Sequence, residues 1–211
     1  MSPSDDDIPP ADPAEALRLI TEQQAEVSRR LNPDPRLFHW PWGVAWLVGF
    51  GLFFLRFGPD GRIFVDLPEW LPLTVLFVLL AAAGIITGGA GAKAYGQVVG
   101  ASSQRGTWYG LAWFLGNVSL FAVNIKISPL LPDDLQGLLW AASAVGLVGV
   151  LLMAGGAIWL DRNLFWLGAW IIVLNVAGLI AGPGWHALII ALGGGGGLLL
   201  AGTIAALRRK S

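Results

Sequence analysis

The chain has 211 residues, of which 55% are hydrophobic and 13% are charged. About a quarter of the residues in a soluble domain are charged, so this composition excludes an ordinary soluble domain. The net charge of −1 and the lack of a basic stripe argue against a nucleic-acid partner. The absence of cysteine excludes disulfides, thiolate metal sites and thiol nucleophiles.

The N-terminal segment divides into a tail and a helix. Residues 1–11 are rich in proline and aspartate, and we predict that they are disordered. Residues 12–36 are predicted to form a cytoplasmic amphipathic helix and a linker, because Asp12, Pro13 and Glu15 make a capping box with proline at the first helical position. A narrow apolar stripe follows at helical spacing: Leu17, Ile20, Val27 and Leu31. This stripe can lie on the membrane surface, dock under the bundle or pair with another chain. The simplest alternative is a solvated helix that packs loosely on its own bundle.

Residues 37–211 are predicted to form a transmembrane domain. They contain long apolar runs without a charged residue in the interior, at about 40–57, 70–92, 107–126, 135–160, 163–182 and 185–207. Each run approaches or exceeds the roughly 20 residues with which a helix crosses the hydrocarbon core. A charge at the centre of such a helix costs about 2.5–3.5 kcal/mol. The runs therefore predict an all-α, polytopic bundle of six transmembrane helices.

The distribution of basic residues predicts the orientation of this bundle. With a cytoplasmic N-terminus, ten lysines and arginines fall in segments on the inner side, and only Arg56, Arg62 and Lys126 fall outside. Cytoplasmic loops carry such an excess of basic residues. Both termini are therefore predicted to be cytoplasmic, and the protein to lie in the cell (plasma or inner) membrane.

Small residues predict which helices pack closely. Gly84 and Gly88 in the second run, and Gly193 and Gly197 in the sixth, recur at every fourth position, a spacing that lets helix backbones approach each other in lipid. We therefore expect the second and sixth helices to be central contact helices. The glycines at 193–197 also allow another interpretation, in which the sixth helix unwinds locally and lines a cavity.

Three amides lie within the predicted helices: Asn117, Asn124 and Asn175. An amide in hydrocarbon needs a hydrogen-bonding partner, so all three are expected to point into the bundle. They either make hydrogen bonds between helices or form a pathway for a neutral polar solute, and the sequence leaves both interpretations open.

The two histidines, His39 and His186, are predicted to lie at opposite faces of the membrane. They therefore cannot jointly ligate a metal or a haem, or form a catalytic pair. Each is interpreted as an interfacial residue beside a tryptophan, Trp40 or Trp185. No catalytic, cofactor-binding or metal-binding residue is predicted.

The same features narrow the functional classes. An enzyme is not expected, because the helices offer no nucleophile, tuned acid or base, or metal site. Ion-coupled transport is not expected, because ionisable groups are absent from the helix interiors. Two hypotheses remain, of which we favour the first: a permease-like protein or membrane subunit for a neutral or apolar solute, or a non-transporting sensor or regulatory scaffold. The expected partners are the lipid bilayer, a second copy or another membrane subunit, and a cytoplasmic protein at the N-terminal helix.

The first quarter of the chain resembles a group of six-span membrane proteins. The segments PAEALRLI from Pro13, NPDPR from Asn32 and WGVAWLVGFG from Trp42 are similar to uncharacterised actinobacterial proteins that are loosely labelled as transporters. Ten arginines against three lysines, together with 29 glycines, are typical of a high-GC genome of that kind. The resemblance implies a membrane location and a six-helix architecture, and it carries no functional residues.

Overall fold

The structure is a computed structural model that describes residues 12–31, 34–95 and 100–208. The predicted disordered tail, residues 1–11, lies outside the described residues. The helices are α1 (Pro13–Leu31), α2 (Arg36–Arg56), α3 (Trp70–Tyr95), α4 (Ala101–Ile127), α5 (Asp133–Trp159), α6 (Arg162–Ala181), α7 (Trp185–Ile189) and α8 (Gly196–Arg208). A π-helical segment (Ile190–Gly195) connects α7 to α8, and short 3₁₀ turns lie at Pro59–Gly61 and Ser128–Leu130.

The predicted six-helix architecture is confirmed. Six helices are long and apolar enough to cross a membrane: Arg36–Arg56, Trp70–Lys93, Ser102–Leu130, Asp133–Trp159, Arg162–Ala181 and Trp185–Arg208. The last of them combines α7, the π-helical segment and α8, and we call it span 6. The third begins at Ser102 rather than at residue 107, because the polar residues before the apolar run continue the helix.

The helices pack in an open row. In that row α2 contacts both α3 and span 6, span 6 contacts α6, α6 packs on α5, and α5 contacts α4. Helices α3 and α4 therefore stand at the two ends. Only 11% and 6% of the residues in their most apolar stretches are buried, against 33% for span 6. Span 6 is central, as expected. The prediction that the second helix, α3, is a central contact helix is wrong within the chain.

A proline near the start of α2 helps to hold α2 against α3. Pro41 has no N–H, so the carbonyl oxygen of Leu37 lacks its usual partner within the helix. The hydroxyl of Thr87 on α3 donates to this oxygen over 3.3 Å, and it accepts from the indole Nε1 of Trp42 over 2.9 Å. A neighbouring helix thus satisfies the carbonyl that the proline frees, which is how proline is tolerated in a transmembrane helix.

The short turn between α5 and α6 makes them the most closely packed pair of helices. Leu160 ends α5 with a left-handed φ of 55°, and the carboxylate of Asp161 accepts from the backbone N–H groups of Asn163 and Leu164 at 2.9 and 3.1 Å. This cap turns the chain back at once. A Cβ built on Gly168 would lie 2.6 Å from the carbonyl oxygen of Gly149, so the two backbones touch where both residues are glycine.

Arg56 ends α2 and joins the loop that follows it. Its Nη2 donates to Glu69 over 3.1 Å, and its guanidinium lies 5.1 Å from the ring centre of Phe57. The backbone N–H groups of Phe64 and Val65 return to the carbonyl oxygen of Leu55, each over 3.0 Å. The charge at the end of the first span is therefore paired beyond the apolar run.

Helix α1 stands largely apart from the bundle. It touches α3, and the apolar residues whose surroundings the structure describes remain open, with Leu17 and Ile20 exposed by 65% and 50%. Docking under the bundle therefore does not hold for these two residues, whereas a solvated helix packed loosely on the bundle agrees with their exposure.

Candidate functional site

The most deeply buried polar cluster joins three helical elements. His186 on α7 is 2% exposed, and its Nε2 lies 2.9 Å from Oδ1 of Asn175 on α6. The amide Nδ2 of Asn175 donates to the carbonyl oxygen of Ala142 on α5 over 2.9 Å. A carbonyl only accepts, so the amide must face it with nitrogen, and the proton shared with His186 therefore lies on the histidine Nε2.

Glycines make room for this cluster. A Cβ on Gly178 would lie 2.8 Å from Cδ2 of His186, and a Cβ on Gly146 would lie 3.2 Å from Nδ2 of Asn175. The ring of Phe50 on α2 packs edge-on against the imidazole at 6.5 Å. Groups from α2, α5, α6 and α7 therefore meet around one imidazole–amide pair, with α5 contributing a backbone carbonyl.

His186 is not an exposed belt residue beside Trp185, as the sequence suggested, because it is 2% exposed. The residue is buried and hydrogen-bonded, because α6 and α7 form an antiparallel hairpin around Gly182 that brings Asn175 and His186 to the same depth. Asn175 lies seven residues before Gly182 and His186 four after it, so this spacing alone does not predict the contact. His39 differs, because it is partly exposed and its Nδ1 lies 2.8 Å from the carbonyl oxygen of Pro35.

The two amides of α4 have separate partners. Asn124 is 2% exposed, and its Nδ2 donates to the hydroxyl of Ser143 on α5 over 2.7 Å. Asn117 is partly exposed, and its Nδ2 donates over 2.9 Å to the carbonyl oxygen of Trp113 on its own helix. Asn124 therefore joins two helices, as one interpretation predicted, whereas Asn117 satisfies itself within α4.

The three predicted site amides do not come together. Asn175 reaches α5 at Ala142 and Asn124 reaches it at Ser143, which are adjacent positions and thus about a quarter turn apart around the helix. Helix α5 stands between the two contacts, and Asn117 belongs to neither. Each of the three amide nitrogens has a protein acceptor.

The glycine-rich part of span 6 is helical rather than unwound. It takes π-helical form over Ile190–Gly195, and the indole of Trp170 donates to the carbonyl oxygen of Gly193 over 3.1 Å. A Cβ on Gly195 would lie 2.6 Å from the backbone nitrogen of Leu47 on α2. The wide turn therefore brings two backbones into contact, and a tryptophan satisfies one of its carbonyls.

The four glycines predicted to pack helices fall into two groups. A Cβ on Gly193 would lie 2.8 Å from Leu174, and one on Gly197 would lie 3.1 Å from Trp170, so both glycines pack against α6. A Cβ on Gly84 or Gly88 would meet nothing within 4 Å. Packing by Gly84 and Gly88 against another helix of the same chain is therefore wrong, because α3 turns this face outward at the end of the row.

The chemistry of the cluster is that of hydrogen bonding. Within residues 12–31, 34–95 and 100–208, no group of three or more His, Cys, Asp or Glu residues is placed to hold a metal ion.

The chain matches no protein-family model, no curated protein and no solved structure. The resemblance to actinobacterial six-span proteins thus stays a prediction.

Proposed function

We propose that this chain is a multi-pass integral membrane protein that acts as a non-transporting scaffold or sensor through a partner protein. The observation that carries the proposal is the pairing of the predicted site amides, Asn117, Asn124 and Asn175, with acceptors inside the protein. A solute pathway needs polar groups that are free to exchange partners with the solute. Here Asn124 and Asn175 join helices and Asn117 bonds within α4, and close packing against Gly178 and Gly146 leaves little room around His186 and Asn175.

The proposal places the protein in the cell membrane with both termini in the cytoplasm. The excess of basic residues in the segments that contain α1, the α3–α4 connection, the α5–α6 turn and the C-terminus supports this orientation. The Arg56–Glu69 pair and the acidic start of α5, Asp133 and Asp134, then lie on the outer side. Helix α1 faces the cytoplasm.

Helix α1 is the surface through which the scaffold would act. Leu17 and Ile20 are exposed although the helix lies outside the membrane-crossing runs. Exposed apolar residues that recur on one helical face are typical of a contact surface for another helix. A protein that anchors or senses through a partner needs such a surface, and the described part of the chain leaves Leu17 and Ile20 open.

The test is whether water reaches the polar residues of the bundle. The chain has no native cysteine, so single cysteines report without background. In native membranes we expect a water-soluble maleimide to label Asp133→Cys at the start of α5, and to leave Val145→Cys and Ser143→Cys in the same helix unlabelled. Labelling of the two inner positions would overturn the scaffold proposal.

A second candidate, a transport-associated subunit for a neutral or apolar solute, draws on the π-helical segment. Short π-helical stretches occur frequently at functional sites, and Ile190–Gly195 lies within the first half of the central helix. Under this alternative, labelled cysteines at positions 143 and 145 would be protected by the solute. Proteoliposomes would then pass glycerol or urea faster than empty vesicles, and Asn175→Leu would remove the difference.

A further inference from the structure

Helix α1 carries the sequence pattern of a coiled-coil seam. Four of its large apolar residues and one amide alternate at spacings of three and four residues, with Leu19 off the stripe: Leu17, Ile20, Gln24, Val27 and Leu31. Such a stripe occupies two positions of every seven, which is the width of a contact between two helices. A helix that lies on a lipid surface instead presents a broad apolar face with Lys and Arg along its polar side. The narrow seam of α1 favours a helix as its partner.

The charges of α1 fit a partner identical to itself. Taking Leu17 as position a, the acidic residues and most of the basic ones fall at positions b, c and f, away from the seam: Glu15, Arg18, Glu22, Glu26 and Arg29. Arg18 and Glu22 pair along the outer face at 3.4 Å. The flanking e and g positions hold Ala16, Thr21, Gln23, Ser28 and, at the end, Arg30. Two copies side by side therefore meet no opposed like charges along most of the seam, whereas an acidic or basic partner would find no complement.

We propose that α1 forms a parallel, two-stranded coiled coil with α1 of a second copy of this chain. The parallel arrangement follows from the connection, because α1 ends at Leu31 and α2 begins at Arg36, so both copies enter the same membrane from the same side. Gln24 is then a polar residue at a single a position, which fixes register and favours a defined number of strands. The inference deepens the proposed function and rests on it only in taking α1 as a protein contact.

The seam has a continuation inside the membrane. Helix α1 touches α3, and the face of α3 opposite its buried Ala83 carries small, exposed residues: Ala81, Gly84, Gly88 and Ala92. Small residues at this spacing let two parallel helices cross closely in lipid. A coiled coil of fewer than three heptads is marginal alone. A twofold axis along the membrane normal lets α1 and α3 contribute to one dimer interface.

The experiment uses disulfide cross-linking of the full chain in native membranes. Leu17→Cys and Ile20→Cys place a thiol in the seam, and Arg18→Cys and Glu22→Cys place one on the outer face of the same turns. All four positions are exposed outside the spans, so folding is not at risk. With a mild oxidant we expect a covalent dimer that is several-fold more abundant for the seam variants, because only their thiols come within disulfide reach.

The contribution of α3 is tested in the Ile20→Cys background. Gly88→Leu should lower the cross-linked fraction several-fold, and Gly89→Leu, equally open in one chain but about a quarter turn away, should leave it nearly unchanged. Equal effects of the two leucines would overturn the part of the interface assigned to α3.

Three outcomes would overturn the α1 dimer itself. These are equal cross-linking of seam and outer thiols, seam thiols that neither cross-link nor react with aqueous maleimide because lipid covers them, and a cross-link to a chain of different mass. Among them, lipid cover over the seam would also remove α1 as the partner surface of the scaffold, whereas the labelling of Val145→Cys decides separately whether water reaches the bundle interior. Conversely, a seam dimer with labelled inner cysteines would keep the interface and overturn the scaffold.

Discussion

At the residue scale, the buried polar side chains of this protein hold helices together. Asn175 stands on α6, donates to α5 and accepts from α7, so one amide connects three elements. Burying a polar group without a partner costs roughly 2–7 kcal/mol, depending on the reference state. The arrangement therefore selects one register between the helices that surround it, which apolar contacts alone specify less strictly.

Substitution of Asn175 should reveal this role. We expect Asn175→Leu to lower the free energy of unfolding by about 1–3 kcal/mol, because the carbonyl of Ala142 and Nε2 of His186 lose their partner inside the bundle. The measurement is thermal unfolding of the purified protein in detergent, followed by tryptophan fluorescence. Asn117→Leu is the matched control, and it should leave stability unchanged within about 0.5 kcal/mol, since that amide bonds only within α4. Equal losses for the two variants would contradict the assigned role.

Sequence reasoning predicted part of this cluster. It correctly expected Asn124 and Asn175 to turn inward, because an amide in an apolar helix needs an acceptor. Asn117 instead donates to the carbonyl oxygen of Trp113 in its own helix, and the sequence pattern does not show which of the two kinds of acceptor an amide will use. His186 was missed because a histidine beside a tryptophan at a helix start is typical of the membrane interface, and only the geometry of the α6–α7 hairpin brings it to Asn175.

At the element scale, span 6 shows how a glycine run is used. Its π-helical segment is a wider turn that holds about one extra residue. The glycines in this turn let its backbone pack directly against the backbone of α2. Beyond the segment, Gly202 lies against His39 and Trp40, where a Cβ would be 2.8 Å from the Cβ of His39. The wide turn therefore sets the rotation of α8 on α2.

Single-residue deletions test this description. Removing the exposed Leu192 should convert the π-helical segment to an α-helix and keep the flanking turns in their present orientation. The free energy of unfolding should therefore change by about 1 kcal/mol or less. Removing the equally exposed Leu200 should rotate all that follows by about 100° and bring Thr203 into the place of Gly202. We expect a clear loss of thermal stability for the second deletion alone. A larger loss for the deletion of Leu192 would contradict the assignment of the extra residue to this turn.

The six spans can be predicted from the sequence, but which helices pack against each other cannot. Length and the absence of charge are properties of one segment, so six spans follow from the sequence. The place of α3 at the end of the row does not follow, because small residues such as Gly84 permit close approach without stating which helix approaches. The same pattern at Gly193 meets α6 within the chain.

At the scale of the whole molecule, the proposed orientation decides which loops and helix termini face the cytoplasm. Intact cells treated with a membrane-impermeant maleimide should label Asp60→Cys and Asp133→Cys. Glu22→Cys and Asn163→Cys should react only after permeabilisation, because these positions lie with the excess of basic residues. Labelling of both pairs from one side would contradict six crossings, and the reverse pattern would invert the topology.

The contact between α2 and span 6 has a consequence for biosynthesis. The glycine face of α2, where Gly43 meets Leu199 and Ala45 is fully buried, packs on the last of the six spans. During translation that face therefore remains in lipid, without its native neighbour, until the fifth further span, span 6, has left the ribosome. Completion of the core is then a late event that follows membrane insertion, so a ribosome stalled before Trp185 would hold inserted helices that still lack span 6 between α2 and α6.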